Sequence, residues 1–449
     1  MKKDKLSDLR EKILRDVRRY AELTSASKEF EAGMRVPYGG RVYDWRDVCS
    51  LVDSSLEFWL TEGRFSAKLE NALAARLGVK HCALVNSGSS ANLLAISALT
   101  APELGPRRLC AGDEVITAAC CFPTTVAPVF QCGAVPVFID VSLPSYNIDC
   151  GALESALSNK TKAVLLAHTL GNPFNIRRVK QFCKRHGLWL IEDNCDALGS
   201  LYKDGKLMRP TGSFGDISTS SFYPAHHITT GEGGAVFTDN PMLSKIVRSL
   251  RDWGRDCWCR SGHDNTCGCR FGGQFGILPS GYDHKYVYSR FGYNLKMTDL
   301  QASVGVSQLE KLDDFIEKRR ANWQYLRGRL GRFSKKLLLP EPEKDSLPSW
   351  FGFVITVKDD APFTRGGLTA FLESRNIQTR TLFAGNIVRH PCFDERRASG
   401  RGYRICGGLE NTDRVMNSTF WIGVYPGLSK KQLDYMADSI AEFIRSKSR

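Results

Sequence analysis

The sequence predicts an α/β protein with a mainly parallel seven-stranded sheet, followed by a smaller C-terminal α+β domain. Three observations support this. Seven short apolar runs fall between residues 80 and 240, helical patterns fit between most of them, and a long charged helix begins near Leu309. A chain of 449 residues can bury a large core and divide into two lobes. The expected organisation is a helical segment over 1–60, a large domain over 61–315 that includes a Cys-rich loop at 255–285, and a small domain over 316–449.

At the N-terminus, Leu6, Leu9, Ile13, Leu14 and Val17 recur at helical spacing among charges, without the apolar core of a signal peptide. The seven runs then follow: CALVN from Cys82, EVITA from Glu114, VPVFID from Val135, KAVLLAH from Lys162, LWLIED from Leu188, DISTSSF from Asp216 and GAVFTD from Gly234. Helical patterns such as Ser90 to Leu99 and Arg177 to His186 separate them, so the strands form crossovers and a sheet covered on both faces. Ligands of such sheets gather at the carboxyl ends of the strands, where Ser87, Gly88, Ser89, Asp193 and Ser221 fall. The Gly-rich stretch from Arg260 to Gly281 reads as a long functional loop. The helix QLEKLDDFIEKRRANWQYLRGRL connects to the last lobe, where WFGFVITV is strand-like and further helices follow.

Composition narrows the function. Apolar residues make up 42% and charged residues 24%, an ordinary globular balance. No apolar run approaches the ~18 residues that suggest a membrane span, and the chain reads as cytoplasmic. The net charge of +14 is spread over the whole length with no recognition motif, so a solvated surface, not nucleic-acid binding, is expected. A basic mouth that attracts a diphosphate is compatible with the same charge. Fifteen cysteines without a secretory signal indicate thiols or metal ligands, not a disulfide framework. Cys82, Cys132 and Cys183 sit in apolar or amphipathic stretches as small core residues, whereas Cys257, Cys259, Cys267 and Cys269 crowd one loop.

The stretch SFYPAHHITTGEGG, Ser221 to Gly234, resembles the cofactor-lysine motif of the DegT/DnrJ/EryC/StrS sugar aminotransferase-like family. GDEVITAACCFPTT, GAVPVFIDV, TKAVLLAHTLGNP, IEDNCDALGS, GEGGAVFTD and FGYNLKMTDLQAS occur in family order. The resemblance implies the fold type I architecture of pyridoxal phosphate (PLP) enzymes and makes the large domain the cofactor-binding one. It places phosphate contacts at Gly88, Ser89 and Ser221, ring stacking at Phe122 and the pyridinium partner at Asp193. Asn294, in GYNLKMTD, would reach the phosphate of a partner subunit, which implies a homodimer. Read from residue chemistry alone, NSGSSAN is a helix start suited to an anion, Asp193 is equally a strand-end turn residue, and Phe122 is equally a core aromatic.

The departure from the family motif is His226. It stands where the family has the lysine that holds PLP as an imine, and no lysine lies between Lys206 and Lys245. Within the family, RDWGRDCWC, GYDHKYVYS, SFYPAHHIT and VYDWRDVCSLVDSSLEFWLTEGRFS are similar to one subgroup, the CDP-4-keto-6-deoxyglucose 3-dehydrases of lipopolysaccharide 3,6-dideoxysugar (O-antigen) synthesis. That resemblance implies noncovalent pyridoxamine 5′-phosphate (PMP) and His226 as the catalytic base. It further implies a [2Fe-2S] cluster on Cys195, Cys257, Cys259 and Cys267, with Cys269 extra, and an NADH-dependent flavin/iron–sulfur reductase as partner. An imidazole can take and return a proton at neutral pH. The expected substrate is a nucleotide-activated 4-keto-6-deoxy sugar, with Arg380 and Arg389 as candidates for its diphosphate. His227 is expected to be structural. A dTDP-4-keto-2,6-dideoxyhexose 3-dehydratase is the alternative, followed by an aminotransferase relative without the lysine. A cluster-free colitose-type dehydratase and a non-enzymatic protein with a zinc-stabilised loop are further alternatives.

Overall fold

The computed structural model describes residues 2–24 and 29–447. The seven sequence-predicted runs form seven strands: β1 (His81–Val85), β2 (Glu114–Ala118), β3 (Val135–Ile139), β4 (Thr161–Ala167), β5 (Trp189–Asp193), β6 (Ile217–Ser221) and β7 (Gly234–Thr238). The sheet has eight strands, not seven. Arg404–Ile405, here β10, comes from the C-terminal part and pairs in parallel with β3. Two residues are too short to register as a strand in the sequence. This one is held because Arg404 forks onto Glu114 through Nε at 3.0 Å and Nη2 at 2.8 Å. In spatial order the sheet runs β1-β7-β6-β5-β4-β2-β3-β10. All neighbours are parallel except β7, which is antiparallel to both β1 and β6.

The central strands are buried on both faces. β5 is buried at all five positions, which explains its continuous apolar run in place of alternation. Its two acids point to opposite sides. The Glu192 carboxylate accepts backbone N–H bonds from Gly212 (2.9 Å), Phe214 (2.7 Å) and Gly215 (2.6 Å) and lies 3.0 Å from His168 Nε2. Burial alone would raise its pKa, but His168 and the N–H groups outweigh burial and hold it below the usual range. Glu192 thereby locks the loop before β6 to β5, and Asp193 is left facing the cofactor side.

Helices cover the sheet as the crossovers require. The charged N-terminal pattern is α1 (Lys2–Thr24), which packs on α2 (Trp45–Glu57), and α3 (Arg64–Leu77) leads into β1. Helix α4 (Gly88–Leu99) starts at a Ser87 N-cap, whose Oγ accepts the Ser90 N–H at 3.1 Å. Helices α5 (Pro123–Gln131), α6 (Ile176–His186) and α7 (Pro241–Arg251) follow. The connector helix expected from about Leu309 is α9 (Leu312–Leu330), which starts just after α8 (Asp299–Leu309) ends. The chain turns at Glu310–Lys311, where buried Lys311 pairs with Asp47 and lies 3.2 Å from Asp44.

The smaller lobe is a three-stranded antiparallel sheet of β8 (Leu337–Leu338), β9 (Gly352–Val357) and β11 (Thr419–Gly423), with β9 central. It shares a core with α9 and the last helix, Lys430–Ser446, where Trp323 stacks on Trp350 at 4.3 Å. Val36 pairs with Ile377, which ties the segment before α2 to this lobe. Among the described residues no helix is long and apolar enough to cross a membrane.

Candidate active site

The carboxyl ends of β5 and β6, the N-terminus of α4 and the rim of the small lobe enclose a cavity of 360 Å³. Its floor is built by Asp193, buried at the end of β5. Asp193 Oδ2 accepts from Asn92 Nδ2 and Thr125 Oγ1, both at 2.8 Å, and Oδ1 accepts the Cys195 N–H at 3.2 Å. Asn92 is fixed in turn, because its Oδ1 accepts from Thr219 Oγ1 at 2.6 Å. The chain Thr219–Asn92–Asp193–Thr125 therefore links β6, α4, β5 and α5 and holds one carboxylate in a set orientation. A buried carboxylate pinned in this way suits a cationic ring nitrogen.

Beside it, Gly88 and Ser89 present the free N–H groups of the first turn of α4, where the helix dipole favours an anion. Gly88 is required by proximity: a Cβ there would lie 2.4 Å from Ser221 Cβ, 2.9 Å from its Oγ and 3.1 Å from Cys195 Sγ. Gly88→Ala therefore overpacks this corner of the cavity at a cost of about 1–3 kcal/mol. The expected result is folded-state stability lowered by about 1–3 kcal/mol, measured by denaturant unfolding. Phe122, half exposed, caps α5 at the cavity edge, where a ring could stack. Ser221 and Cys195 also line the cavity. Burial, with Asp193 adding to it, raises the Cys195 thiol well above its usual range, so it is neutral.

His226 lines the same cavity, and among the described residues no lining residue is a lysine. Its Nε2 lies 3.3 Å from Asp196 Oδ1, its Nδ1 has no hydrogen-bond partner, and its ring packs against Phe351 at 5.2 Å. The loop that carries it is held from behind by Arg319 of α9, which donates to the carbonyls of His226 (3.0 Å), Ala225 (3.4 Å), Trp350 (3.3 Å) and Phe351 (3.4 Å). Burial lowers the Arg319 pKa to about 9, which still leaves a cation at neutral pH. His227 points away, with Nε2 2.9 Å from the Ser349 carbonyl, and burial beside Arg319 keeps it neutral.

The two arginines considered for a diphosphate separate. Arg380 lines the cavity and lies over the Tyr38 ring at 4.0 Å. Arg389 instead pairs with Asp413 on the surface, outside the cavity lining. Asn294 is not part of the lining: its backbone bridges to Asp252 and its Oδ1 accepts from Lys296 Nζ at 2.9 Å. Sequence reading did not single out Asn92, Thr125, Asp196 or Arg319. Arg319 had a signal, since it falls on the buried stripe Leu312, Phe315, Ile316, Trp323 and Leu326 of its helix.

A second group of donors lies in the loop after α7. The ligand atoms of Cys257, Cys267 and His284 are all within 4.8 Å of one another. Cys259 Sγ accepts the Cys267 N–H at 3.4 Å, and Cys269 Sγ is 3.4 Å from His284 Nδ1. The Cys269 N–H draws the Cys267 thiol down to about 6. Cys195, the fourth cysteine of the set that the subgroup resemblance implies, lies outside this group of three. Its backbone N–H is tied to Asp193 at the end of β5, and its sulfur sits near Gly88 in the cavity lining. Several soft donors held together fit a metal centre.

Fold and cavity together define a fold type I enzyme of the PLP class. The chain belongs to the DegT/DnrJ/EryC1/StrS aminotransferase family, whose profile matches residues 46–441. It is 52% identical over 438 residues to the lipopolysaccharide biosynthesis protein RfbH of Salmonella typhimurium, covering 97% of this chain and 98% of that one. It is 51% identical over 442 residues to the dTDP-4-dehydro-2,6-dideoxy-D-glucose 3-dehydratase of Saccharopolyspora spinosa, covering 98% and 93%. Among solved structures, the GDP-4-keto-6-deoxy-D-mannose-3-dehydratase of E. coli with bound hydrated PLP aligns with a TM-score of 0.79. That match is 26% identical and covers 91% of this chain and 100% of that one.

Proposed function

We propose that this protein is a PMP-dependent 3-dehydrase that removes the C3 hydroxyl of a nucleotide-linked 4-keto-6-deoxyhexose, with CDP-4-keto-6-deoxyglucose as substrate. One observation carries the reading: the cavity has an imidazole, His226, and no lysine where the family holds PLP covalently. Two relatives named as 3-dehydratases of nucleotide sugars support the reaction class. The Saccharopolyspora relative, at 51% identity, favours a second reading in which the substrate is a dTDP-4-keto-2,6-dideoxyhexose.

Bound PMP supplies an amine for the C4 ketone and an electron-withdrawing ring. The protein does the rest. Asp193 would keep the ring nitrogen protonated, and the first turn of α4 with Ser89 and Ser221 would hold the phosphate. Phe122 would stack on the ring, and Arg380 would meet the diphosphate. Asp196 orients His226, which accepts a proton and returns it to the C3 hydroxyl as that group leaves as water. Asn294 completes the phosphate site of a partner subunit in a homodimer. The loop thiols hold an iron–sulfur centre, which would pass electrons one at a time from an NADH-dependent flavin/iron–sulfur reductase. The enzyme works in the cytoplasm in dideoxysugar synthesis.

The test is product analysis under anaerobic conditions with PMP, a reductase and CDP-, dTDP- or GDP-linked 4-keto-6-deoxy sugars. The expected product is the 3-deoxy sugar from the CDP substrate. Preference for the dTDP substrate would replace the first reading by the second. Amino-sugar formation in place of C3 deoxygenation would reject both.

A further inference from the structure

We propose that Tyr38 is a substrate-positioning residue: its ring holds the Arg380 guanidinium, with its charge uncompensated, on the small-lobe wall of the cavity to receive a nucleotide diphosphate. The inference deepens the proposed function and rests on its reading that a nucleotide sugar enters this cavity.

Among the described residues, Arg380 is the only arginine or lysine that lines the cavity. With the first turn of α4 given to the cofactor phosphate, the substrate diphosphate is left with this one cation. Its surroundings keep the charge available. The guanidinium carbon lies 4.0 Å from the centroid of the Tyr38 ring, well within cation–π reach. Among the described residues no carboxylate forms an ion pair with it, and Nη1 donates only to the Thr379 carbonyl, at 2.7 Å. A ring holds a guanidinium by its face and leaves the N–H edge free, whereas a carboxylate takes both the edge and the charge. Arg389 shows the contrast, since Asp413 accepts from its Nε at 2.6 Å and pairs with its Nη2.

The Tyr38 ring is itself fixed. It meets Trp421 edge-on at 5.3 Å and 83°. Trp421 exchanges two backbone hydrogen bonds with Arg380, at 3.0 and 2.7 Å, and its Nε1 donates to the Thr381 carbonyl at 3.0 Å. The segment that carries Tyr38 is paired as well: the Val36 N–H donates to the Asn376 carbonyl at 2.8 Å, and the Gln378 N–H to the Val36 carbonyl at 3.0 Å. It runs so close to β11 that a Cβ on Gly423 would lie 2.5 Å from the Tyr38 carbonyl oxygen. One residue further, a Cβ on Gly39 would lie 3.1 Å from Ala225 Cβ, beside His226. Tyr38, Arg380 and Trp421 thus form one rigid unit drawn from three segments. Such prior placement spares the rotamer entropy that a free arginine loses on binding.

The test titrates CDP, dTDP and GDP into the PMP-loaded full chain by calorimetry, and measures KM and kcat with the sugar nucleotide. Tyr38→Leu should raise the Kd of the nucleoside diphosphate about 3- to 30-fold, the range of a cation–π contact, with PMP affinity unchanged. The same loss should appear in KM, with kcat falling less. Tyr38→Phe, which restores the ring, should recover most of the affinity. Arg380→Met should weaken binding at least as much as Tyr38→Leu, and the double variant no further than Arg380→Met alone, because the first residue acts through the second. Additive losses, or equal losses in Tyr38→Phe and Tyr38→Leu, would overturn the positioning role. Tyr38→Gln, polar and without a ring, serves the same comparison where the leucine variant folds poorly. Wild-type protein that binds none of the three nucleotides rejects the nucleotide-sugar reading together with this inference. Wild-type binding with an unchanged Kd in Tyr38→Leu rejects the role of Tyr38 alone.

Discussion

Replacing His226 with asparagine is expected to lower C3 deoxygenation by about 10²- to 10⁴-fold, the range that a positioned proton-transfer group supplies. The cavity contains no substitute. Its remaining ionisable groups are Asp193, held by Asn92 and Thr125, the neutral thiol of Cys195, Asp196, Arg380 and two tyrosines. Asparagine keeps a polar side chain of similar reach and cannot relay a proton at neutral pH. Because the proposed phosphate and ring contacts lie on α4, β5 and β6, PMP affinity should stay within a fewfold of wild type. The readouts are product formed per turnover, by chromatography, and cofactor binding, by absorbance. A loss confined to kcat identifies a proton-transfer group. An equal loss in PMP affinity would instead make His226 a cofactor-holding residue, and unchanged turnover would remove it from the reaction.

Much of the fold was legible because its signals are local. Each parallel strand is a short apolar run bounded by turn residues, and Ser87–Gly88 and Asp193 fall at strand ends, where such sheets bind ligands. What escaped was set by tertiary pairing. β10 exists because Arg404 meets Glu114, 290 residues away in sequence. The Asn92–Asp193–Thr125 network joins three elements and has no sequence spacing to betray it. The loop shows the same limit: four cysteines within 13 residues mark a candidate metal site. Spacing cannot tell which donors meet, and it gave no sign that His284 comes within 4.8 Å of Cys257 and Cys267.

Arg319 shows how a missed residue can govern the site without touching it. It lies in EKRRANW, which reads as a charged helix face, yet its side chain is buried and its Nη atoms reach four carbonyls on two segments. Among the described residues no carboxylate forms an ion pair with it, and Asp196 acts on it only through space. Arg319→Met fills most of the volume but leaves the carbonyls of Ala225 and His226 without this donor. Each buried group left unpaired costs ~1–3 kcal/mol. Relief from burying an isolated cation offsets part of this. The expected net result is a loss of about 2–4 kcal/mol in denaturant unfolding. Below that threshold, kcat should fall at least tenfold, because the loop no longer fixes the His226 backbone. Arg319→Lys retains the charge but not the fork that spans both segments. It should recover less than half of the lost stability and little of the activity. Wild-type kcat in a folded Arg319→Met protein would mean that His226 is positioned by Asp196 and Phe351 alone, and that Arg319 serves only the packing of the two lobes.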